Sequence, residues 1–325
     1  MTHFIRDLVL CLSSIVFTIG SWCVNANDFP NKPIKIIVPF APGGSNDVVM
    51  RLLVPSLSEE LGQSVIVENR PGGGATIGMD LVAKSKPDGY TLGVANTAFG
   101  ANPFVISKMP FDTQKDLTPV CLVGKVPLVV IVNPQFPVRT IKELIEYAKK
   151  NPEAINYGSA GNASAPHLAG ALFEFSTGTK LTHIPYKSGG EATAAILGNV
   201  TQLQFAAVPS AIQQIRSNRL IPLAVTTLDR DESLPEVPTV DQSGVKDFDM
   251  SDWIGIVVPA GTPDIVIKRL NEAFVKALAK PENRASLIKA GARPIGSSPE
   301  ELKNLINKEL NTWQKVVKAA NIKIN

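Results

Sequence analysis

Short apolar runs alternate with segments of helical periodicity along most of this chain. The run at 34–38 is rich in β-branched residues and ends at Pro39, and the segment 45–61 carries apolar residues on one helical side. Further strands are predicted at 64–68 and 90–95, with a helix between them that ends near residue 83. Strand alternating with helix in short units predicts an α/β fold of mostly parallel strands flanked by helices.

A long apolar run at 118–133, broken at Gly124 and Pro127, interrupts this alternation. We interpret it as a strand that crosses between two lobes and serves as a hinge. Beyond it, strands are predicted at 155–158, 181–184, 202–206, 221–225 and 254–258, and helices at 140–150, 164–175, 191–197 and 210–216. The expected division is a first lobe of residues 27–125 and 243–325 and a second lobe of residues 126–242.

Two capping boxes mark helix starts in the second half of the chain. Thr140 with Glu143, and Ser298 with Glu301, have the spacing at which each side chain bonds the backbone N–H of the other. Apolar residues recur at helical spacing after Ser298, which is typical of a buried helix face. We expect this C-terminal helix to pack on the first lobe.

The first 26 residues have the layout of an export signal. One basic residue, Arg6, precedes an apolar run at 8–19 and a polar segment that ends at Ala26, where we expect cleavage. The alternative is a membrane anchor, but the run is shorter than the roughly 20 residues that span a bilayer. Cys23 leaves a lipoprotein open, although Trp22 stands where a lipoprotein signal usually has a small residue.

Composition narrows the class of protein further. The 325 residues carry a net charge of +3 without a block of lysines or arginines, so we expect neither nucleic acid nor a membrane surface as a partner. Of three cysteines, two fall within the predicted signal, which leaves Cys121 and no internal disulfide in the mature chain. The length suffices for two lobes with a core each.

The stretch VPFAPGGSND, residues 38–47, has the composition of an anion-binding turn. Its two glycines offer N–H groups without side-chain bulk, and its serine is expected to cap the following helix. The helix N-terminus would then present unpaired N–H groups and a positive dipole end to a carboxylate or phosphate. An ordinary tight turn is the alternative. The predicted binding residues of this loop are Phe40, Pro42, Gly43, Gly44 and Ser45.

Asp47 follows in the first helical turn and has two interpretations. It can stabilise the helix N-terminus, which needs no ligand, or it can meet a donor group on the ligand. We include it among the predicted binding residues as a candidate for ligand selectivity.

A second loop, residues 159–164, also joins a strand to a helix. Ligands of open α/β sheets bind outside the carboxyl ends of strands, so this loop and the first could face each other across a cleft, one from each lobe. The alternative is that its side chains serve turn and cap alone. Its predicted binding residues are Ser159, Gly161, Asn162 and Ser164.

Two further segments are expected near these loops. Asn96 and Thr97 follow the third strand and would lie beside the first loop. The turn at 186–190 precedes a helix of the second lobe and contains Lys187, which could add a positive charge but is more simply a solvated surface lysine.

The sequence offers little catalytic chemistry. Glycines at 72–74 and 78 resemble a dinucleotide turn, but Ile77 stands where that motif needs glycine, and no P-loop is present. His167 and His183 have no partner at the spacing of a zinc or nucleophile site, and Cys121 lies in an apolar strand. These residues indicate binding without chemistry, cofactor or metal.

Seven blocks of the chain resemble the solute-binding receptors of tripartite tricarboxylate transporters, the Bug or TctC family. They are VPFAPGGSND (38–47), VENRPGGG (67–74), SAGNASAPHLAG (159–170), HIPYKSGG (183–190), LAVTTLDR (223–230), LPEVPTV (234–240) and VVPAGTP (257–263). The resemblance spans almost the whole predicted mature chain. Ser45 and Asn46 differ from the residues that many members have there, as does Ala163, which stands where many have glycine.

The resemblance implies a two-lobed periplasmic binding protein of type II-like fold with crossing hinge strands. Such a receptor would close on a small carboxylate held by the first loop and the 159–164 loop. The implied ligand is a di- or tricarboxylate, an acidic amino acid or an aromatic acid, and the implied partners are inner-membrane permease subunits. We expect a monomer in the periplasm.

Two rival functions stay open on the sequence alone. One is an exported receptor without a transporter of its own, acting in sensing. The other is an exported oxidoreductase or hydrolase that uses the same cleft, although the inventory of histidines and acids weighs against it.

Overall fold

The computed structural model describes residues 29–319. The predicted export signal and its cleavage site lie outside the described residues. The strands are β1 (Ile34–Val38), β2 (Val65–Asn69), β3 (Thr91–Ala95), β4 (Leu117–Val132), β5 (Asn156–Ser159), β6 (Thr182–Pro185), β7 (Leu203–Ala207), β8 (Ile221–Val225), β9 (Ser251–Pro259) and β10 (Arg293–Pro294). Among the described residues, no helix has the length and apolar character needed to cross a membrane.

Ten α-helices are assigned within residues 29–319. They are α1 (Ser45–Leu61), α2 (Thr76–Ala83), α3 (Thr97–Val105), α4 (Ile141–Lys150), α5 (Ala165–Thr177), α6 (Gly189–Leu197), α7 (Val208–Arg216), α8 (Asp264–Ala279), α9 (Pro281–Lys289) and α10 (Pro299–Ala319). Helix α3 was not predicted, and α6 and α7 each begin two residues earlier than predicted. Helices α3, α6 and α7 therefore begin close to the ends of the strands that precede them.

The strands form one mixed sheet in the order β2-β1-β3-β9-β4-β7-β5-β6, with β8 and β10 also paired to β4. Three strands at each end of this order are parallel to one another, as predicted. The centre differs, because β9 is antiparallel to both β3 and β4, and β4 is antiparallel to β7. The α/β fold flanked by helices is confirmed, with an antiparallel centre.

Strand β4 belongs to both parts of the molecule. Its residues 117–127 pair with β9, and its residues 128–132 pair with β7, while β8 pairs with residues 129–132. We call the part built on β1–β3, β9, β10 and residues 117–127 the first lobe, and the part built on β5–β8 and residues 128–132 the second lobe. The sequence-based lobe boundaries stay predictions, although β4 changes partners close to the first of them.

A buried threonine ties the two chain segments that cross between the lobes. Thr226 donates its N–H to the carbonyl of Leu128 on β4 at 3.0 Å. Its hydroxyl donates to the carbonyl of Met250, just before β9, at 2.6 Å. The two segments that cross between the lobes are therefore hydrogen-bonded to the same residue, Thr226.

The C-terminal helix α10 packs on the first lobe, as predicted. Leu302 and Ile306 are buried in a cluster with Phe99 of α3 and Val257 of β9. Its capping box forms in both directions, since the Ser298 N–H donates to the Glu301 carboxylate at 2.8 Å and the Glu301 N–H donates to Ser298 Oγ at 3.3 Å. The helix is anchored at its start and along its apolar face.

Candidate ligand-binding site

A narrow cavity lies between the two lobes, outside the carboxyl ends of five strands. We call it the inner cavity. Its lining residues are Phe40, Gly44, Ser45, Asn46, Asn96, Ala160, Ser164, Pro166, Gly189, Ala207, Ser210 and Asp252. Both lobes contribute to this lining, which is the position predicted for a ligand of an α/β sheet.

Five helix N-termini converge on the inner cavity. Helices α1, α3, α5 and α7 have Gly44, Asn96, Ser164 and Ala207 as their N-caps, and α6 begins at Gly189. All five of these residues line the cavity. Each N-terminus carries a partial positive charge of roughly half an elementary charge, together with N–H groups that have no intrahelical partner. These termini therefore contribute positive potential to the cavity, although its lining contains no lysine, arginine or histidine.

The first loop is built differently from the prediction in one respect. Gly44, not Ser45, is the N-cap of α1, and no side chain caps this helix. Ser45 is the first helical residue and lines the cavity with Phe40 and Gly44. Because no side chain occupies the first-turn N–H groups of α1, they are available to an anion.

Asp47 holds the first loop in shape. Its carboxylate accepts from the N–H of Gly43 at 3.0 Å, from Arg51 Nε at 2.9 Å and from Asn69 Nδ2 at 3.0 Å. The sequence interpretation assumed that the N–H of Gly43 is free to bind a ligand. In the structure this N–H is instead bonded to Asp47. Asp47 does not line the inner cavity, and Pro42 and Gly43 are exposed outside it. This geometry matches the interpretation of Asp47 as a stabiliser of the helix N-terminus.

Several polar side chains at the cavity lack partners within the protein. Asn46 is 2% exposed, and its Oδ1 has no hydrogen-bond partner; the same holds for Ser210 Oγ. Thr97, beside the cavity at the start of α3, is buried and its hydroxyl is likewise unpaired. Buried polar groups normally find a hydrogen bond. A ligand of the inner cavity can supply one to Asn46 and Ser210.

The sequence interpretation missed Asp252, at the start of β9. Asp252 lines the inner cavity, and its carboxylate accepts from the N–H groups of Thr97 at 3.0 Å and Trp253 at 2.9 Å. The Asn96 amide also donates to it, at 3.4 Å. Burial raises the pKa of Asp252, while the hydrogen bond from the Thr97 N–H opposes that rise. The sequence signal that could have indicated Asp252 is an acidic residue at the start of a strongly apolar strand.

The 159–164 loop is held by two histidines. Ser159 Oγ lies 2.6 Å from His183 Nε2, and the Ala163 N–H donates to His167 Nδ1 at 3.1 Å. The two imidazole rings stack with centroids 4.0 Å apart. Ser164 donates its hydroxyl to the carbonyl of Gly161 at 2.6 Å. Ser164 thus reaches the inner cavity, whereas Ser159 is fully buried and supports the loop from behind.

Ser159 and His183 form a serine–histidine pair that their spacing along the sequence did not indicate. It is nevertheless unsuited to nucleophilic catalysis. Burial lowers the pKa of His183 to about 3 and that of His167 to about 4, far from the neutral value that a general base needs. Ser159 has no exposed surface from which to reach a substrate.

A wider outer cleft adjoins the inner cavity and shares Phe40 and Ala160 with it. Gly161 and Asn162, predicted to bind the ligand, line this outer cleft. Lys187 also lines it, and its side chain is exposed. The predicted residues that line a cavity therefore form an inner group at the helix N-termini and an outer group at the mouth, whereas Pro42, Gly43, Asp47, Thr97 and Ser159 line neither.

The lobes touch directly at the first loop. The Ala41 N–H donates to the carbonyl of Lys187 at 3.1 Å. A Cβ placed on Gly190 would lie 2.9 Å from the Gly43 carbonyl oxygen, so the two backbones are in close contact. The turn at 186–190 is thus the segment that meets the first loop, while the 159–164 loop meets Gly74, whose Cβ would lie 2.9 Å from the Asn162 carbonyl oxygen.

Two lobes that share sheet strands, with a cavity between them at the helix N-termini, are typical of a solute-binding protein of the periplasmic type. The family model for the tripartite tricarboxylate transporter family receptor, TctC, matches residues 49–322. The chain belongs to this family, the Bug or TctC receptors. It is similar to protein BugT of Bordetella pertussis, with 35% identity over 303 residues that cover 93% of each chain.

Solved structures agree with this assignment. The periplasmic binding protein BugD is similar with a TM-score of 0.88 and 35% identity, covering 91% of this chain and 100% of its own. An R. palustris protein solved with adipate has a TM-score of 0.89 and 32% identity, with the same coverage. MatC from Rhodopseudomonas palustris, solved with bound malate, has a TM-score of 0.85 and 29% identity, covering 89% of this chain and 100% of its own.

Proposed function

We propose that this protein is an exported receptor that captures a small carboxylate in the inner cavity and delivers it to the permease subunits of a tripartite tricarboxylate transporter. The observation that carries this proposal is the convergence of five helix N-termini on one cavity between the lobes. Such termini stabilise anions through both their N–H groups and their dipoles.

The chemistry of the cavity suits a small organic acid. Ser45 and Ser210 supply hydroxyl groups next to the helix termini, and Phe40 and Pro166 supply apolar walls. Charge-assisted hydrogen bonds to a carboxylate are the stronger kind, and a few of them with apolar contact can reach micromolar affinity, which is about 8 kcal/mol. The relatives solved with adipate and malate hold dicarboxylates. A dicarboxylate is therefore a reasonable first probe.

The N-terminal pattern and the family support a role in export and transport. The predicted signal of residues 1–26 would direct the chain to the periplasm, and BugD is a periplasmic binding protein. We propose that the mature receptor acts as a monomer and presents the loaded, closed form to the permease. Uptake of a labelled ligand by cells with and without the receptor gene tests the transport step. A receptor that serves sensing alone would leave uptake unchanged.

Calorimetry tests the binding step. Mature protein, stripped of ligand by unfolding and refolding, is titrated with di- and tricarboxylates, acidic amino acids and aromatic acids, with a neutral sugar as the control ligand. We expect micromolar binding of at least one carboxylate. The variant Asn46→Ala should weaken it about tenfold, because one buried polar contact is worth about 1.4 kcal/mol.

The matched control is Asn304→Ala, on the exposed side of α10. It removes the same side chain far from the cavity and should leave binding unchanged. Failure of every carboxylate to bind, or an equal effect of both variants, would overturn the assignment of this site.

A further inference from the structure

Asp252 supplies the inner cavity with a hydrogen-bond acceptor, whereas the helix N-termini supply donors. We infer that the ligand carries a hydrogen-bond donor, a hydroxyl or a protonated amine, beside its carboxylate, and that Asp252 receives this donor. The inference rests on the proposed function and narrows the ligand to a hydroxy acid or an amino acid. Asp252 lies outside the two loops that the sequence patterns predicted to bind the ligand.

The hydrogen bonds of Asp252 leave acceptor capacity on one oxygen. Oδ1 accepts from the N–H groups of Thr97 and Trp253, at 3.0 and 2.9 Å. Oδ2 accepts from Asn96 Nδ2 alone, at 3.4 Å, which is a long bond. A carboxylate oxygen can accept about two hydrogen bonds. Oδ2 therefore has room for a short bond from a donor in the cavity.

The charge of Asp252 has no side-chain counter-ion. It takes part in none of the salt bridges among residues 29–319, and no cationic side chain lines the inner cavity. Its three protein partners are all N–H donors, so they fix the carboxyl as an acceptor. Asp252 is 3% exposed, and a buried acceptor of this kind is stabilised by a further donor.

The donors and the acceptor of the cavity belong to different elements of the fold. The first turn of α1 offers N–H groups and the Ser45 hydroxyl to an anion, and the N-terminus of α5 offers N–H groups, while Asp252 lies on β9 beside the N-cap of α3. A ligand with a carboxylate and a neighbouring donor satisfies both. An unsubstituted dicarboxylate would bring a second negative group against Asp252, which is unfavourable in a cavity of low dielectric constant.

Matched acids test the inference on the wild-type protein by calorimetry. Succinate, L-malate and L-aspartate share one carbon skeleton, glutarate and L-glutamate share another, and benzoate is compared with 2-hydroxybenzoate. We expect the hydroxy or amino member of the skeleton that fits to bind at least tenfold more tightly than the unsubstituted member. A preference for the unsubstituted acid, or equal affinities, overturns the inference while carboxylate binding stands. Absence of binding by every acid overturns the proposed function as well.

The variant Asp252→Asn then assigns the preference to this side chain. Its amide can keep an oxygen toward Thr97 and Trp253 and place its NH2 group where Oδ2 was, which replaces an acceptor by a donor and removes the long bond from Asn96. We expect the tenfold preference to disappear or reverse in favour of the unsubstituted acid. A preference that survives in the variant overturns the role of Asp252. Thermal unfolding confirms that the variant is folded, and the wild-type ratios decide the ligand class independently of it.

Discussion

Ala163 donates its backbone N–H to Nδ1 of His167, four residues further along the chain, at 3.1 Å. Nδ1 must therefore be unprotonated, which fixes a neutral imidazole with its proton on Nε2. Ala163 itself has a φ of +58°, a conformation that is unfavourable for a residue with a side chain. The histidine thus holds a strained turn at the edge of the cavity, and its protonation would release that turn.

Acidification should destabilise the protein through His167. Its pKa is lowered by burial to about 4 in the folded protein, against about 6.5 when unfolded. The contribution of neutral His167 to the free energy of unfolding is therefore complete above pH 6.5 and is lost as the pH falls toward 4. The variant His167→Asn keeps an acceptor near the Nδ1 position but cannot titrate. Urea unfolding at pH 7 and pH 5 should show a loss about 2 kcal/mol larger in the wild type than in the variant. Equal losses would contradict this role.

Gly190→Ala should block closure of the lobes. The added Cβ would lie 2.9 Å from the Gly43 carbonyl oxygen and 3.1 Å from its carbon, both backbone atoms of the other lobe. Gly190 is in the first turn of α6, where alanine suits the helix, so the second lobe should fold normally. We expect carboxylate affinity to fall tenfold or more and the radius of gyration with ligand to increase, measured by calorimetry and small-angle scattering.

The control for that variant lies at the other end of the same helix. A Cβ on Gly198 would come no closer than 3.5 Å to its neighbours, at an ordinary φ of −81°. Gly198→Ala should leave affinity and dimensions unchanged. If Gly190→Ala behaves in the same way, the contact between Gly43 and Gly190 does not control closure.

Thr226→Val should weaken the crossing between the lobes. Valine keeps the shape but loses the hydroxyl that donates to Met250, and it leaves a buried carbonyl with one bond fewer. We expect the free energy of unfolding to fall by about 1 to 3 kcal/mol in urea. Thr91→Val on β3 is the control, since Thr91 is half-buried in a strand and valine has a high strand propensity. A similar loss in both variants would argue against a special role of Thr226.

Asp47→Asn should lower affinity without a direct ligand contact. The asparagine amide has one acceptor oxygen, so it cannot serve the Gly43 N–H, Arg51 and Asn69 together. We expect the first loop to loosen, with a loss of about 1 to 2 kcal/mol in stability and a several-fold weaker affinity for carboxylates. Asp249→Asn, at an exposed position, is the control for the change of charge. An unaltered affinity in Asp47→Asn would show that this loop needs no such support.

The sequence predicted the elements whose local pattern agrees with their environment. β1 and β8 have the predicted bounds, and α1 begins and ends as predicted, because each has the apolar spacing of its final structure. Helix α3 was missed because it contains Gly100 and Pro103, which disfavour a helix locally. Packing against α10 overrides that preference, as the close approach of Gly100 to Glu309 shows.

Site residues in loops that directly follow a strand could be predicted from the local sequence pattern. Site residues that strand pairing brings together from distant parts of the chain could not. Phe40, Gly44, Ser45, Asn96 and Ser164 were predicted and line the inner cavity. Asp252 was not, because it reaches Asn96 through the antiparallel pairing of β9 with β3, across 156 residues of sequence. The pairing of Ser159 with His183 depends in the same way on the register of β5 with β6.

The five helix termini at the inner cavity have one consequence for the conditions under which the receptor can work. A peptide N–H has no pKa in water, so the positive field that it contributes cannot be removed by alkali, unlike that of a lysine. Nor can it be removed by acetylation, which neutralises a lysine side chain. The contribution of these N–H groups to carboxylate binding should therefore be the same in alkaline surroundings as in neutral ones, whereas a site built on a lysine would lose its charge as the pH rises.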